Sequence, residues 1–248
     1  MTEEIVRGPT VKTVVVNRDV NAVSRGRAVE LRQEWTRRGI LVVNMMSSPG
    51  AGKTSLLEAT AKQWRGRFSM QVLVGDLATD RDAQRLAPHA PVVQLTTGGA
   101  CHLESPLVER GWLELPSQDC QFLFIENVGN LVCPASHDLG EHLRVLLLST
   151  TEGDDKPAKY PKAFRTSQML VISKTDLLPH VPFSVDAACA DARGIQPDLE
   201  CVAVCARSGA GVAEWCAALE RRRETLLTER TREPEEVASG KTVPEAGV

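Results

Sequence analysis

The sequence predicts an α/β protein with a mostly parallel central sheet covered by helices. Two observations carry that expectation. Short apolar runs alternate along the chain with amphipathic or polar stretches, as strands and helices do in a parallel sheet. Several runs are almost wholly apolar, among them ILVVNMM (40–46) and VLLLS (145–149). Continuous apolar strands belong to a sheet buried on both faces.

Taken in order, the apolar runs predict strands at Val11–Val16, Ile40–Met46, Met70–Asp76, Val92–Leu95, Gln121–Glu126, Arg144–Ser149, Met169–Ser173 and Cys201–Cys205. Asn21–Arg38 reads as a helix with Ala28, Leu31 and Trp35 on one face and Gly39 as its stop. SLLEATAKQW (55–64) has helical character. Gly211–Glu229 repeats the amphipathic pattern through Val212, Trp215, Leu219 and Leu226. The charged, proline-containing stretch Glu152–Phe164 is expected to be a mobile surface loop. From Thr231 the chain turns polar, TREPEEVASGKTVPEAGV, and is expected to be a disordered tail. The expected division is an extension at 1–39 packed on a nucleotide-binding domain at 40–230, with a tail at 231–248.

Composition narrows the function classes. The 248 residues carry 29 Lys+Arg against 32 Asp+Glu, a net charge of −3. That balance argues against a nucleic-acid binder driven by overall positive charge. Aromatics are 4%, with one Tyr, too few for stacking platforms. No apolar run reaches the ~18–20 residues of a membrane span. The start, MTEEIVRGPT, lacks the apolar core of a secretory signal. Seven cysteines, an odd count without small-scaffold spacing, point to reduced thiols in the cytoplasm, some of them metal-binding or reactive.

The first chemical motif is Ser47-Ser48-Pro49-Gly50-Ala51-Gly52-Lys53-Thr54, between an apolar strand and a helix-like run. That is the setting of a P-loop, and it sharpens the fold class to a three-layer P-loop NTPase. Backbone amides from Gly50 to Thr54 cradle the β-phosphate at a helix N-terminus, and Ser55 continues that nucleotide-binding turn. Lys53 reaches the β- and γ-phosphates, and the Thr54 hydroxyl ligates Mg²⁺. The motif departs from the general pattern in one place, where Ser47 stands for Gly.

Guanine is indicated further on. Ser173-Lys174-Thr175-Asp176 follows the strand MLVI, where GTPases carry Asn-Lys-x-Asp. A carboxylate there accepts from guanine N1–H and the 2-amino group, whereas adenine would leave it unpaired. Lys174 and Asp176 are the candidate base contacts. Cys205-Ala206-Arg207 stands where GTPases place Ser-Ala-Lys, so the Ala206 amide can meet guanine O6.

Cys101-His102 and Cys133 lie in Gly-rich loops after strands. Two thiolates and an imidazole suit Zn²⁺ or Ni²⁺. No C-x-x-C pair supports them, so the residues alone leave two unrelated thiols and a surface histidine as an open alternative. Cys120, Cys189, Cys201, Cys205 and Cys216 read as core thiols. The three donors leave a position open for water, His137 or a second subunit; otherwise His137 and His142 read as solvated histidines, and Lys156, Lys159 and Lys162 as a solvated loop, with contact to a partner's nucleotide across a dimer as the alternative.

SSPGAGKT, GDLATDRDAQRL, the Cys-His pair, FIENVGNLVCPASHDLGE, STTEGDDKPAKYP and the SKTD strand end occur in one order. In that order and spacing the chain resembles, from about Val14 to Glu229, the HypB family of hydrogenase nickel-incorporation GTPases of the SIMIBI class. The resemblance implies slow, regulatory hydrolysis of GTP to GDP with Mg²⁺ and a metallochaperone's Ni²⁺ or Zn²⁺ site at Cys101, His102 and Cys133. It implies a homodimer formed through switch loops and metal site. It also implies work in the cytoplasm with a HypA-type nickel chaperone and the precursor of the [NiFe] hydrogenase large subunit, with neither nucleic acid nor membrane as partner. Asp76 matches the switch acid near Mg²⁺ and the attacking water, Asp80 is a second switch acid, Glu126 stands where a Walker-B acid belongs, and Gly129 offers an amide to the γ-phosphate. The chain departs from some members in lacking an N-terminal CxxCGC or His-rich stretch, its first cysteine being Cys101, so nickel storage is not expected. Two other classes fit parts of the pattern. A small-molecule P-loop kinase would use Arg81 and Arg85 as lid arginines. A non-enzymatic scaffold would need a structural Zn²⁺, for which a fourth ligand is wanting.

Overall fold

The computed structural model describes the backbone of residues 12–15 and 24–238 and the side chains of 25–231. The elements in order are β1 (Lys12–Val15), α1 (Ser24–Arg38), β2 (Leu41–Ser47), α2 (Lys53–Gln63), β3 (Met70–Asp76), α3 (Arg81–Leu86), β4 (Val92–Thr96) and α4 (Ser105–Glu114). There follow β5 (Phe122–Glu126), β6 (Leu143–Ser149), α5 (Lys156–Lys159), α6 (Pro161–Arg165), β7 (Met169–Ser173), α7 (Val185–Ile195), β8 (Glu200–Ala203) and α8 (Val212–Ala238). The strands form one sheet of eight, ordered β1-β4-β3-β5-β2-β6-β7-β8. Every pairing is parallel, so the mostly parallel sheet expected is parallel throughout among the described residues.

The three layers follow from strand alternation. Val43, Met45, Val72, Val74, Val145 and Leu147 point into one apolar cluster, which α2 and α8 close with Leu56, Leu57, Trp64, Trp215 and Leu219. Their neighbours Val42, Leu73, Leu123 and Ile125 point the other way, under Leu31 and Trp35 of α1 and Val108 and Trp112 of α4. Leu146, Leu148, Leu170 and Ile172 point to that same second side, under Phe164, Ala188 and Ala192. All four tryptophans are fully buried. Trp64 stacks on Phe122 at 4.2 Å, and its indole N–H donates to Glu220 at 2.8 Å.

Three expectations need correction. The stretch 152–164 is helical rather than a loose loop: a proline opens each of α5 and α6, and Phe164 and Ala163 are anchored in the core. Helix α8 runs to Ala238, past the tail boundary set at Thr231 and through Pro234. Residues 239–248 lie outside the described residues, as do Val11, Val16 and the first three residues of the helix expected from Asn21. The strand expected at Cys201–Cys205 is observed as Glu200–Ala203, and Cys205 lies beyond it, its N–H turned to Ala210 O at 2.8 Å.

His142 is not a solvated histidine. Its Nδ1 accepts from the Val42 N–H at 3.0 Å, and its Nε2 lies 2.9 Å from Thr36 Oγ1, which donates to Arg32 O. The neutral ring with its proton on Nε2 satisfies every one of these contacts. Burial, then the positive charge of Arg32, pushes its pKa down to about 4. A lowered imidazole pKa means that the unfolded chain binds the extra proton more readily. The stabilisation is therefore complete above the unfolded value of about 6.5 and is lost as pH falls from there towards 4. Up to about 3 kcal/mol of unfolding free energy should disappear over that range. Denaturant unfolding at pH 7 and pH 4.5 measures it, and His142→Asn, which keeps an acceptor for Val42, should show the smaller difference.

Candidate nucleotide and metal site

The loop 48–52 joins β2 to α2 at the centre of the sheet, between β5 and β6. Gly50 and Gly52 have φ of +73° and +99°, and a Cβ on either would meet nothing within 4 Å. The glycines thus shape a left-handed turn with free space before it, as an anion cradle needs. Lys53 Nζ donates to Ser47 Oγ at 2.9 Å, and that hydroxyl donates to Ser48 O at 2.6 Å. Ser47, the departure from the general motif, is where the lysine rests. Burial lowers the Lys53 pKa, and the Glu126 carboxylate is foremost among the charges that oppose the shift.

Thr54 Oγ1 donates to Glu126 Oε1 at 2.8 Å. Glu126 is buried at the end of β5, and its Oε2 has no hydrogen-bond partner. Burial raises its carboxyl to about 7. A buried carboxylate oxygen left open beside a threonine hydroxyl fits a hard divalent ion such as Mg²⁺. Asp76 ends β3 with Oδ1 accepting from the Ala78 and Thr79 amides at 2.9 and 2.7 Å, and its charge acts on Lys53. Asp82, which the sequence reading passed over, acts on both Lys53 and Glu126. Asp80 is half-buried in front of α3 and makes no side-chain capping bond. Arg85 is tied to α2 by Ser55 Oγ at 3.1 Å and by Glu58, which leaves it a poor lid arginine.

A cavity of about 270 Å³ opens beside the loop, lined by Ala51, Gly52, Ser55, Lys174, Asp176, Cys205 and Ala206 among others. The two stretches expected to meet a guanine therefore share one cavity with the P-loop. Ser173, in the place of the usual Asn, donates from Oγ to Ala51 O at 2.6 Å, so the tie to the P-loop is kept by a shorter side chain. Lys174 is the one described non-glycine residue with positive φ, at 59°, and its carbonyl accepts from Thr150 Oγ1 at 2.9 Å. Such a position is held against its own preference, as at many binding sites.

Gly129 packs against the P-loop itself. A Cβ there would stand 2.9 Å from Pro49 Cα and 3.1 Å from Pro49 N. Gly129→Ala should therefore displace the loop and weaken GDP binding about tenfold, a cost near 1.4 kcal/mol; titration with a fluorescent GDP analogue checks it.

The metal-type residues come together. Cys101 and His102 follow β4, and Cys133 precedes a short turn at Pro134–Ser136. Their donor atoms all lie within 4.8 Å of one another. His102 Nδ1 is 3.8 Å from Cys101 Sγ, and Asn130 Nδ2 donates to Cys101 O at 3.3 Å, tying the two loops. The Cys133 thiol, by hydrogen bonding, and then burial push the Cys101 thiol up. His137, expected at the solvated surface, instead stacks on His102 with ring centroids 3.7 Å apart. Away from this cluster, burial takes the thiols of Cys120, Cys201 and Cys216 to about 12.

A buried polar spine, which the sequence reading missed, links the two sites. Asn127, next to Glu126, donates to Asn44 Oδ1 at 3.2 Å, and Asn44 donates to Glu141 Oε1 at 3.1 Å. Arg144 pairs with the same Glu141. Its other nitrogens donate to His137 O at 2.7 Å and Ala135 O at 3.4 Å, on the loop after Cys133. A lone Asn inside the apolar run LVVNMMS was the available signal.

Lys156 also differs from expectation. It reaches Ser48 Oγ of the P-loop at 3.5 Å and pairs with Glu152 at the same distance. Lys162 reaches Ser136 Oγ at 2.6 Å, and Lys159 stays exposed against Asp155.

Fold and site define a P-loop nucleotide-binding protein with a metal-type donor cluster on its loops. Residues 41–203 match the family described as CobW/HypB/UreG, nucleotide-binding domain. The hydrogenase maturation factor HypB of Azotobacter vinelandii is 45% identical over 216 residues, which are 87% of this chain and 71% of that one. The crystal structure of HypB from Helicobacter pylori in complex with nickel superposes with a TM-score of 0.76 at 37% identity, over 81% of this chain and 95% of that one. HypB from Archaeoglobus fulgidus gives 0.75 at 33%, over 80% and 98%. The chain belongs to the HypB family of hydrogenase maturation factors. Among the described residues no helix is long and apolar enough to cross a membrane.

Proposed function

We propose that this protein hydrolyses GTP slowly and uses nucleotide state to hold and release nickel during maturation of a [NiFe] hydrogenase in the cytoplasm. The observation that carries the reading is the convergence of Cys101, His102 and Cys133 within 4.8 Å on the loops that leave β4 and β5, the second of which neighbours the P-loop strand β2. The H. pylori relative crystallised with nickel supports Ni²⁺ as the cargo, and Zn²⁺ suits the same donors.

In this reading Lys53 leaves Ser47 for the β- and γ-phosphates, an exchange of a neutral acceptor for charged ones. Amides from Gly50 to Ser55 hold the phosphates, Lys174, Asp176 and Ala206 select guanine, and Gly129 offers its amide to the γ-phosphate. Thr54, Glu126 and Asp76 would hold Mg²⁺, which neutralises charge developing on the phosphates. Asp76 also orients the attacking water. Ordering of the loops after Asp76 and around Gly129 by GTP is passed to Cys133, seven positions beyond Glu126. The same loops meet a second copy of the chain, and a HypA-type chaperone and the hydrogenase large-subunit precursor supply and receive the metal.

Coupling is reciprocal: if GTP changes nickel affinity, nickel changes GTP affinity by the same factor. A nickel titration followed by thiolate-to-metal absorbance, with GDP and with a non-hydrolysable GTP analogue, tests the reading. A band lost in Cys133→Ala, with affinity that differs between nucleotides, is the expected result. Binding indifferent to nucleotide, or surviving in Cys133→Ala, overturns it.

A further inference from the structure

His102 sits between two donor sets, not one. Its Nδ1 faces Cys101 Sγ at 3.8 Å, and its Nε2 faces Glu104 Oε1 at 3.5 Å. The donor atoms of His102, Glu104 and His137 all lie within 4.8 Å of one another, as do those of Cys101, His102 and Cys133. We propose that a borderline divalent cation has a second, adjoining position at His102, Glu104 and His137, and that His102 is shared between the two positions through its two ring nitrogens.

The second set is built into the fold. The His137 carbonyl accepts from Arg144 Nη2 at 2.7 Å, and that guanidinium is itself fixed on Glu141 in the core. The His137 ring places Nδ1 2.9 Å from Cys133 O. A carbonyl only accepts, so Nδ1 carries the proton and Nε2 keeps its lone pair for a metal. His102 Nε2 and Glu104 Oε1 are in contact at 3.5 Å, longer than an ordinary hydrogen bond, so a cation placed between them replaces only a weak contact. Their side chains are 19% and 23% exposed, open enough for a cation to enter and enclosed enough to orient the donors.

The chemistry of the two positions differs. Cys101, Cys133 and His102 offer two thiolates, soft donors that bind Ni²⁺ or Zn²⁺ tightly once deprotonated. Glu104, His137 and His102 offer one carboxylate and imidazoles, harder donors with one negative charge instead of two. The imidazole and carboxylate bonds to such ions are about 2.0–2.2 Å, so small side-chain rotations from the present spacing close the second set. A cation that moves from the thiolates to the second position exchanges its bond to His102 Nδ1 for one to Nε2, while the ring proton passes from Nε2 to Nδ1 through solvent, so one cation occupies one position at a time. This inference rests on the nickel reading above for the cargo, but its residues answer separately.

The test is a titration of the full chain with Ni²⁺ alone, followed by calorimetry and by thiolate-to-metal absorbance. The proteins are the wild type, the Cys101→Ser/Cys133→Ser variant and the same variant with His137→Phe added. The double variant is expected to lose the thiolate band and still bind one equivalent through nitrogen and oxygen donors. Adding His137→Phe, which keeps a flat ring on His102, is expected to weaken that binding at least about tenfold, or 1.4 kcal/mol. Glu104→Gln in the same background should weaken it similarly, and circular dichroism checks that each variant is folded. No binding to the double variant, or binding unchanged by His137→Phe, overturns the second position. A wild type without a thiolate band would overturn the thiolate site instead, while the comparison of double and triple variants would still decide this one.

Discussion

Lys53→Ala will abolish tight nucleotide binding and leave the fold standing. The ammonium is buried, and its one hydrogen-bond partner is the Ser47 hydroxyl. A buried charge contributes little net stability to the empty fold, because dehydration opposes whatever attraction it gains. Its value is realised when phosphates arrive. Two charge-assisted hydrogen bonds to phosphate oxygens are worth about 1.5–3 kcal/mol each. Their loss amounts to a weakening of at least about 100-fold, at 1.4 kcal/mol per tenfold. Titration with a fluorescent, non-hydrolysable GTP analogue reads the loss, and a thermal melt by circular dichroism reads the fold. A collapsed melt would mean that the lysine holds the core together rather than the ligand.

What the sequence could and could not say about this site follows from range. The inner strands β2, β3, β5, β6 and β7 were legible because each is buried on both faces and is therefore apolar at nearly every position, as in Val42-Val43 or Leu146-Leu147. The P-loop was legible because its chemistry is carried by eight adjacent residues. Long-range consequences were not. Nothing local tells that Ser47 is a resting place for Lys53, or that Ser173 reaches Ala51 across 122 positions. The segment 152–164 looked loose because its charges outnumber its apolar residues, yet Pro157, Ala163 and Phe164 are buried and anchor it. His137 and His142 looked alike in sequence. One stacks on a metal-type histidine, and the other accepts a main-chain N–H from β2. Only the packing of α1, β2 and the loop after β5 distinguishes them.

The same long range makes Arg144 the residue whose loss should cost the fold most. Its guanidinium pairs with Glu141, and the two side chains are 13% and 3% exposed. Glu141 has further obligations: Oε1 accepts from Asn44, and Oε2 accepts from the Leu139 amide at 2.8 Å. Arg144→Met would fill much of the same volume but leave that carboxylate buried without its cation. Breaking one side of a buried pair costs about 3–5 kcal/mol. For a chain of this size each kcal/mol lowers the melting temperature by about 2–4 °C, so a fall of about 6–20 °C is expected. Adding Glu141→Gln should recover part of it, because the unpaired charge is gone, although the amide's single oxygen can accept from only one of Asn44 and Leu139. The functional consequence separates the two ends of the spine. Arg144 holds the carbonyls of Ala135 and His137, so its loss should loosen the loop after Cys133 and weaken nickel binding while GDP affinity stays close to the wild type. A fall in GDP affinity with nickel binding intact would instead place the weight of the spine on Asn127 and the P-loop side.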